Sequence, residues 1–391
     1  MINETGTYRY VAPIFGVFLA VSLVLSSSDF GIYLFGKYLF VLLLTITLFL
    51  TVKHLKDRAL TVFVLYFSAV SILAVINIYV RSRFNFVAFS PVVAFLMYLA
   101  LQPKPKYYAL KSVDLVCLLI VPALMAVELA AKVRQEDIAM MGELIQNTGA
   151  GRFDVLRLQV PFGSPLSLAS LFLAASLVYL LFYRSFWRAS IILALSLMTG
   201  TRTVVFLILI VFSVTVVIEY VGDRDVSRQR LWNDFRALLV PVVLSVVVFL
   251  IPPYGASSVW IATIGRIFAP SSFVVTQDAS FMGRGETTGY GLVEVFQKPD
   301  SMIFFGGENI LPSDSALLSI AQQSGILSAI LLFGMFILLI ICTEISVFRK
   351  LVLLFAFIVA ALMMGDAIVP PAALIYLVTF ISFGAKKFAT K

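Results

Sequence analysis

Charged side chains are scarce in this sequence. They make up 13% of the 391 residues, whereas 61% are hydrophobic and the mean hydropathy is +1.02. A soluble domain averages roughly 25% charged and 45–50% apolar residues. The shortage of charge excludes a soluble globular enzyme. It also excludes a disordered chain and a nucleic-acid-binding protein, because both need a polar chain with charges facing water.

Cysteine and histidine are also rare. The two cysteines, Cys117 and Cys342, lie in apolar runs, so no disulfide framework is implied. With His54 as the single histidine, a His-rich metal site is not expected. No Walker, Rossmann, zinc or serine-triad pattern occurs in the sequence. We therefore expect neither a metal nor an organic cofactor.

Long apolar runs are what the sequence does contain. A transmembrane helix takes about 20 apolar residues, and the runs predict about twelve such spans. We place them at 11–27, 31–51, 59–80, 84–101, 112–131, 166–183, 189–201, 203–221, 237–252, 315–342, 350–368 and 371–384. The run 189–201 is short, which indicates tilt, local thinning or a re-entrant pair with the next segment. The prediction is an all-α, polytopic integral membrane protein with a single membrane domain over 1–391.

Lysine and arginine indicate the orientation of the spans. With the N-terminus in the cytoplasm, 18 of the 29 basic residues fall on cytoplasmic segments and the remaining 11 at the outer side. Every cytoplasmic loop is then short and basic, as the positive-inside rule expects, and the C-terminus is also cytoplasmic. Two large loops, 132–165 and 253–314, are predicted outside. Within the second, the segment 287–298 has helical potential and could lie on the membrane surface.

Several arginines fall at the outer side, where short loops normally avoid them. The candidate ligand-binding residues are Arg152, Arg157, Arg202, Arg266 and Arg284. Because guanidinium groups bind phosphate in a bidentate manner, they indicate an anionic ligand such as a lipid pyrophosphate. The alternative is that they only solvate the loops or meet lipid headgroups. Arg202 stands between two apolar runs with almost no loop around it, where an unpartnered charge is costly.

Asp314 precedes the predicted span 315–342 and has two interpretations. It could cap the helix, since Asp accepts from the free N–H groups and suits the helix dipole. It could instead face an outer cavity as a base or as a contact to an acceptor sugar. The residues around it leave both open.

Three stretches on the predicted outer side carry a resemblance. They are Arg-Leu-Gln-Val-Pro-Phe-Gly-Ser-Pro-Leu at 157–166, Thr-Gly-Thr-Arg-Thr at 199–203, and a series from Gly-Arg-Gly at 283–285 through Phe-Phe-Gly-Gly-Glu at 304–308 to Asp-Ser-Ala-Leu-Leu at 314–318 and Gly-Ile at 325–326. Together they resemble the bacterial O-antigen polymerase and O-antigen ligase superfamily. That family has an outer-loop Arg before a short turn, Thr-x-Ser-Arg between two spans, and Gly-Arg, Phe-Gly-x-Gly and His-Asn-x-x-Leu in its large loop.

The resemblance implies a glycosyltransferase at the periplasmic face of the bacterial inner membrane. It would transfer a growing glycan from undecaprenyl pyrophosphate to a sugar hydroxyl of the next lipid-linked repeat unit. Outer arginines hold the pyrophosphate in this family; by position these are Arg157, Arg202 and Arg284, with Arg266 and Arg152 as further candidates. Asp314 takes the position of the ligase branch's acceptor-activating His, a departure that favours the polymerase over the lipid A-core ligase.

The partners that this resemblance implies are the undecaprenyl-pyrophosphate-linked oligosaccharide and the lipid bilayer. A polysaccharide chain-length regulator and a flippase are further candidates, and no nucleic acid is expected. Two alternatives stay open. One is ligase-like transfer of glycan to another acceptor, and the other is a transporter such as a lipid-linked oligosaccharide flippase. A transporter should show polar residues at the midplane and paired broken helices, whereas the candidate polar residues here cluster at the outer side.

Overall fold

The computed structural model describes part of the chain, and that part is helical. It covers residues 105–134, 165–199, 201–222, 315–365 and 370–384, together with Tyr66, Ala69, Ala94, Tyr98, Leu158 and Arg236. No strand occurs among these residues, so the predicted all-α class is confirmed for them. Contacts divide the chain into two compact units. The first combines Met1–Val116 with Thr287–Lys391, and the second is Cys117–Glu286.

The α-helices of the described residues lie close to the predicted apolar runs. In chain order they are α1 (Pro105–Asp114), α2 (Val121–Arg134), α3 (Pro165–Leu177), α4 (Phe186–Leu197), α5 (Arg202–Gly222), α6 (Ala316–Ser324), α7 (Ile326–Cys342), α8 (Val347–Met363) and α9 (Pro370–Gly384). A π-helical segment, Leu115–Ile120, joins α1 to α2, and a second one, Val178–Phe182, extends α3.

An aromatic cluster lies at the centre of the first unit. Phe336 on α7 packs against Phe357 on α8, with ring centroids 5.0 Å apart. Phe357 lies 5.8 Å from Tyr376 on α9, and Tyr376 stacks on Phe380 at 5.7 Å. These spacings are those of favourable ring pairs. The cluster therefore holds α7, α8 and α9 together, while α6 packs on α7 and α8, and α1 packs on α9.

Polar contacts join three chain segments at one end of this unit. Lys106 Nζ lies 2.9 Å from Glu344 Oε2 and 4.8 Å from the centroid of the Phe383 ring. The Glu344 N–H donates to the Phe383 carbonyl at 3.0 Å. The start of α1, the turn between α7 and α8, and the end of α9 therefore share one end of the unit.

The surface of α8 differs from that of a helix in a soluble protein, which exposes charged and polar residues and buries apolar ones. All of its exposed residues are apolar, and Arg349 is buried; the exposed residues are Val347, Phe348, Leu351, Phe355, Ile358, Leu362 and Met363. Water disfavours so large an apolar face, whereas lipid accepts it. Two helical stretches, Lys106–Val127 and Pro165–Phe182, are also long and apolar enough to cross a bilayer. These features support membrane association; the number of spans stays a prediction.

Three helices, α3, α4 and α5, pack against one another in the second unit. Residues 167–177 of α3 are all buried, and six of them are Ser or Ala, whose small side chains allow close helix approach. Phe186 on α4 meets Phe212 on α5 edge to face at 5.4 Å. The unit is therefore closely packed around α3.

The prediction of one continuous span over 315–342 is wrong. Gly325 separates α6 from α7 with φ 89° and ψ 154°, a conformation that a residue with a Cβ adopts only under strain. Its N–H donates to the Ala321 carbonyl at 2.9 Å, and its carbonyl accepts from Ala329 at 3.2 Å. The apolar run continues through this position, so hydropathy alone did not reveal the break.

Other boundaries differ by a few residues. The helical stretch predicted at 112–131 extends from Pro105 to Arg134, and the one predicted at 350–368 ends at Met363, since Met364 is extended. The short run at 189–201 forms α4 of 12 residues. At a rise of 1.5 Å per residue, α4 is about 18 Å long, well below the roughly 30 Å of a hydrocarbon core.

The aromatic cluster gives a stability prediction. Phe357→Ala should destabilise the first unit by about 3–5 kcal/mol, because Phe357 is 2% exposed and contacts three rings. Phe355→Ala on the same helix should change little, because Phe355 is 56% exposed. Thermal unfolding of both variants in detergent measures the difference. Equal melting temperatures would contradict the role given to the cluster.

Candidate functional site

The predicted site residues lie at the ends of the described segments or outside them. Arg202 is the first residue of α5. Asp314, Arg152, Arg157, Arg266 and Arg284 lie outside the described residues, as do most of the two large loops and the segment 287–298. The described residues next to them are Leu158, the turn before α5, and Ser315 at the start of α6.

The Thr199 hydroxyl stabilises the turn between α4 and α5. Thr199 Oγ1 donates to the Ser196 carbonyl at 2.7 Å and accepts from the Thr201 N–H at 3.3 Å. The Thr199 N–H also donates to the Ser196 carbonyl, at 3.1 Å. Thr199 is fully buried and Thr201 nearly so. A buried turn in apolar surroundings needs such internal partners for its backbone, and the threonine side chain supplies them.

A hydrogen bond joins this turn to the outer-loop stretch that contains Arg157. The N–H of Leu158 donates to the carbonyl of Met198 at 3.2 Å, and Leu158 is fully buried. Leu158 follows Arg157 directly, and Met198 precedes Arg202 by four residues. The structure therefore places Leu158, in the first stretch of the resemblance, beside the turn that leads into the second stretch about 40 residues later.

Arg202 occupies the N-terminal end of α5. The Thr201 carbonyl accepts from the Val205 N–H at 3.2 Å, so Thr201 holds the N-cap position and Arg202 the first helical position. A cation is disfavoured there by about 0.3–1 kcal/mol because the helix dipole is positive at this end. The same end attracts anions through its free N–H groups. The first position of α5 is therefore one that helix stability alone does not favour for an arginine.

The start of α6 settles one of the two interpretations of Asp314. Ser315 is the N-cap residue: its Oγ accepts from the Leu318 N–H at 3.4 Å. The same hydroxyl donates to the carbonyl of Ala361 on α8, also at 3.4 Å. The interpretation of Asp314 as the helix cap is therefore wrong, because the serine beside it holds that position. The interpretation as a base or acceptor contact stays a prediction.

Gln322 on α6 is a polar residue that the sequence reasoning missed. It is fully buried, and neither its Nε2 nor its Oε1 has a hydrogen-bond partner among the described residues. A buried polar group without a partner costs about 1–3 kcal/mol. The next residue, Gln323, donates from Nε2 to Ser319 Oγ at 3.2 Å. The sequence feature that could have revealed Gln322 is an amide inside a predicted membrane span, where a polar group has a high free-energy cost.

Unpartnered hydroxyls accompany this amide. Within the described chain, Ser176, Ser190, Thr379 and Ser382 are buried and their hydroxyl oxygens make no hydrogen bond. Among all the residues that the structure describes, no group of three or more His, Cys, Asp or Glu side chains could hold a metal ion. Gln322 has two unpartnered groups on one side chain, so it is the strongest of these signals.

Comparison of the chain with protein-family models, with curated proteins and with solved structures finds no match in any of the three. This chain's own residues and contacts, together with the motif resemblance, are therefore the basis of the functional proposal. Two places carry it: the turn before Arg202, joined to Leu158, and the start of α6, which contains Ser315 and Gln322.

Thr199 provides a test of the turn. Thr199→Val should leave the Thr201 N–H without its side-chain acceptor and lower the stability of the second unit by about 1–3 kcal/mol. Thr199→Ser keeps the hydroxyl and should behave like the wild type. Thermal unfolding of both variants in detergent measures the difference. A Val variant with the wild-type melting temperature would show that the hydroxyl is dispensable.

Proposed function

We propose that this protein is an inner-membrane glycosyltransferase that polymerises undecaprenyl-pyrophosphate-linked repeat units of O-antigen or a related surface polysaccharide at the periplasmic face. The hydrogen bond between Leu158 and Met198 is the observation that carries the proposal. It links the segments of Arg157 and Arg202, two arginines that the resemblance assigns to pyrophosphate. A pair of guanidinium groups suits that ligand because each can bind two phosphate oxygens.

The reaction transfers a glycosyl group and needs no metal. The acceptor hydroxyl oxygen forms a bond to the anomeric carbon of the growing chain, and the bond from that carbon to the pyrophosphate oxygen breaks. Undecaprenyl pyrophosphate leaves with the bonding electron pair, and Asp314 takes the hydroxyl proton. Arg202, with Arg157 and Arg284, stabilises the negative charge that develops on the leaving group. Arg266 and Arg152 would hold the glycan or the phosphate oxygens further out.

Contacts within each unit agree with the sides proposed for the contacting segments. Lys106 and Glu344, which lie in predicted cytoplasmic loops, meet at one end of the first unit beside Phe383, near the cytoplasmic end of the predicted span 371–384. In the second unit, Leu158 of a predicted outer loop meets Met198, near the outer end of the predicted span 189–201. Each contact thus joins segments that the proposed topology places on the same side. That topology has about twelve spans, with N- and C-termini in the cytoplasm and the large loops 132–165 and 253–314 outside.

A flippase is the second candidate, and the break at Gly325 is the observation that favours it. Transporters often bind substrate where a membrane helix is broken near the bilayer midplane. Here α7 continues for 17 residues beyond the break, about 25 Å of helix. If α7 crosses most of the hydrocarbon core, the break lies near the outer surface, where a polymerase of lipid-linked substrates needs its site. We therefore prefer the enzyme. Ligase-like transfer is less favoured, because Asp314 stands in place of the ligase histidine.

The arginine assignment is tested with purified protein in detergent. The substrate is the lipid-linked repeat unit isolated from cells that lack this gene. The wild type should produce longer glycans without any vesicle, whereas Arg202→Lys and Arg284→Lys should each turn over about 10²–10³-fold more slowly, since Lys lacks the bidentate fork. Arg188→Lys is the control, because Arg188 lies near the opposite end of α4 and donates to Ser185.

Two results would count against this assignment. Near-normal turnover in both Lys variants would show that these arginines do not bind the leaving group. If the wild type makes no longer glycan in detergent but moves the lipid-linked repeat unit across vesicle membranes, the protein is a flippase.

Separate substitutions of Asp314 and of the N-cap residue Ser315 test the role of Asp314. Asp314→Asn should slow turnover by about 10²–10⁴-fold, because an amide cannot take the acceptor proton. Ser315→Ala removes the actual N-cap and should lower stability by about 0.5–2 kcal/mol while keeping most turnover. Asp314→His restores the ligase-like residue and should retain some activity. Wild-type turnover by the Asn variant in the same assay would remove Asp314 from the mechanism.

A further inference from the structure

Gln322 has the hydrogen-bonding capacity of a binding residue, and nothing among the described residues uses it. A carboxamide offers two N–H donors and an oxygen with two lone pairs. The side chain is fully buried on α6, yet both of its polar atoms lack a partner in the described part of the chain. Buried polar groups are nearly always partnered, so the Gln322 amide has hydrogen-bonding capacity that a bound group could use.

We propose that the Gln322 carboxamide binds hydroxyl groups of the glycan on the lipid-linked repeat unit. The proposal rests on the glycosyltransferase function and adds a subsite to it. Gln322 recognises sugar and takes no part in bond making, so it is a substrate-binding residue and not the base.

The chemistry of the amide favours a neutral, hydroxylated ligand. Each sugar hydroxyl both donates and accepts, so two adjacent hydroxyls can meet the amide N–H and C=O together. An undecaprenyl tail has no polar group to offer. A pyrophosphate is an anion, for which the guanidinium groups of the proposed site are the stronger partners. Among the lipid-linked substrate's three chemical parts, the glycan alone matches Gln322.

The position of Gln322 on α6 agrees with this role. Gln322 follows the N-cap Ser315 by seven residues, which places both on one helix face about two turns, or roughly 10 Å, apart. Ser315 donates to Ala361 on α8, so this face lies towards α8. Asp314, the proposed base, precedes Ser315. A residue two turns further along the helix is suited to hold a sugar next to the reacting one.

Gly325 explains how an amide is kept at this position. It ends α6 three residues after Gln322, and its φ of 89° turns the chain away from the α6 axis. Because α6 is thereby a separate helix of nine residues, Gln322 does not belong to an uninterrupted apolar span. In secondary transporters, broken membrane helices present groups to the substrate in a comparable way.

The experiment compares Gln322→Met with Gln323→Met in purified protein. Met has a similar length and no hydrogen-bonding amide. Gln323 is the matched control because it is adjacent, is the same residue type, and already has Ser319 as its partner. Two probes are used: the lipid-linked repeat unit from cells lacking the gene, as substrate, and the free oligosaccharide released from it by mild acid, as a competitor without lipid or phosphate.

The expected result is a specific loss of glycan affinity in Gln322→Met. Its KM for the lipid-linked repeat unit should rise about tenfold to a hundredfold while kcat changes less, and the free oligosaccharide should inhibit it correspondingly more weakly. Its melting temperature should equal or exceed that of the wild type, because an unpartnered buried amide has been removed. Gln323→Met should keep the wild-type KM and the wild-type inhibition.

Other outcomes overturn the inference in distinguishable ways. If the wild type polymerises and Gln322→Met matches it in KM and in inhibition, the amide binds only trapped water and the proposed function still stands. If Gln322→Met and Gln322→Leu both lose folded protein while Gln323→Met does not, the amide is structural. If the wild type neither polymerises nor responds to the oligosaccharide, the proposed function fails first and the subsite fails with it.

Discussion

The need of backbone N–H and C=O groups for partners in apolar surroundings is the constraint on which this structure depends. A helix satisfies these groups within its own chain, and most of the described residues obey that rule. The interesting positions are those where the helix stops. At Thr199–Thr201 a threonine hydroxyl takes over, and at Gly325 a positive φ lets one residue end α6 and begin α7. The proposed arginine site and the proposed glycan subsite each lie next to one of these interruptions.

The placement of charge follows from the same constraint. Arg202 is at a helix end where the dipole opposes it, and Arg349 is buried on a helix whose outer face is wholly apolar. Neither position would stabilise a helix of a soluble protein. For Arg202, the hydrogen bond from Leu158 to Met198 brings a second chain segment to the turn that precedes it, which is the contact on which the proposed pyrophosphate site depends.

Apolar runs predicted the helices well and the breaks poorly. The runs at 203–221 and 371–384 correspond to α5 and α9 within two residues, because long apolar stretches have few other stable forms. Gly325 could not be separated from other glycines, since its positive φ is a property of the folded backbone. The choice between Asp314 and Ser315 as cap depended on a single residue of register, which patterns do not resolve.

The order of the units along the chain has a consequence for biosynthesis. Lys106 and Glu344 are 238 residues apart, and α1 packs on α9, close to the C-terminus. The whole of the second unit, Cys117–Glu286, is therefore synthesised between α1 and its partners. Since chains emerge from the ribosome N-terminus first, α1 must wait until α9 has been made, whereas α3, α4 and α5 can pack as soon as they are made. The first unit is therefore complete only after α9 has been made. Chains that end before α9 would leave α1 without this partner and expose it to membrane quality control.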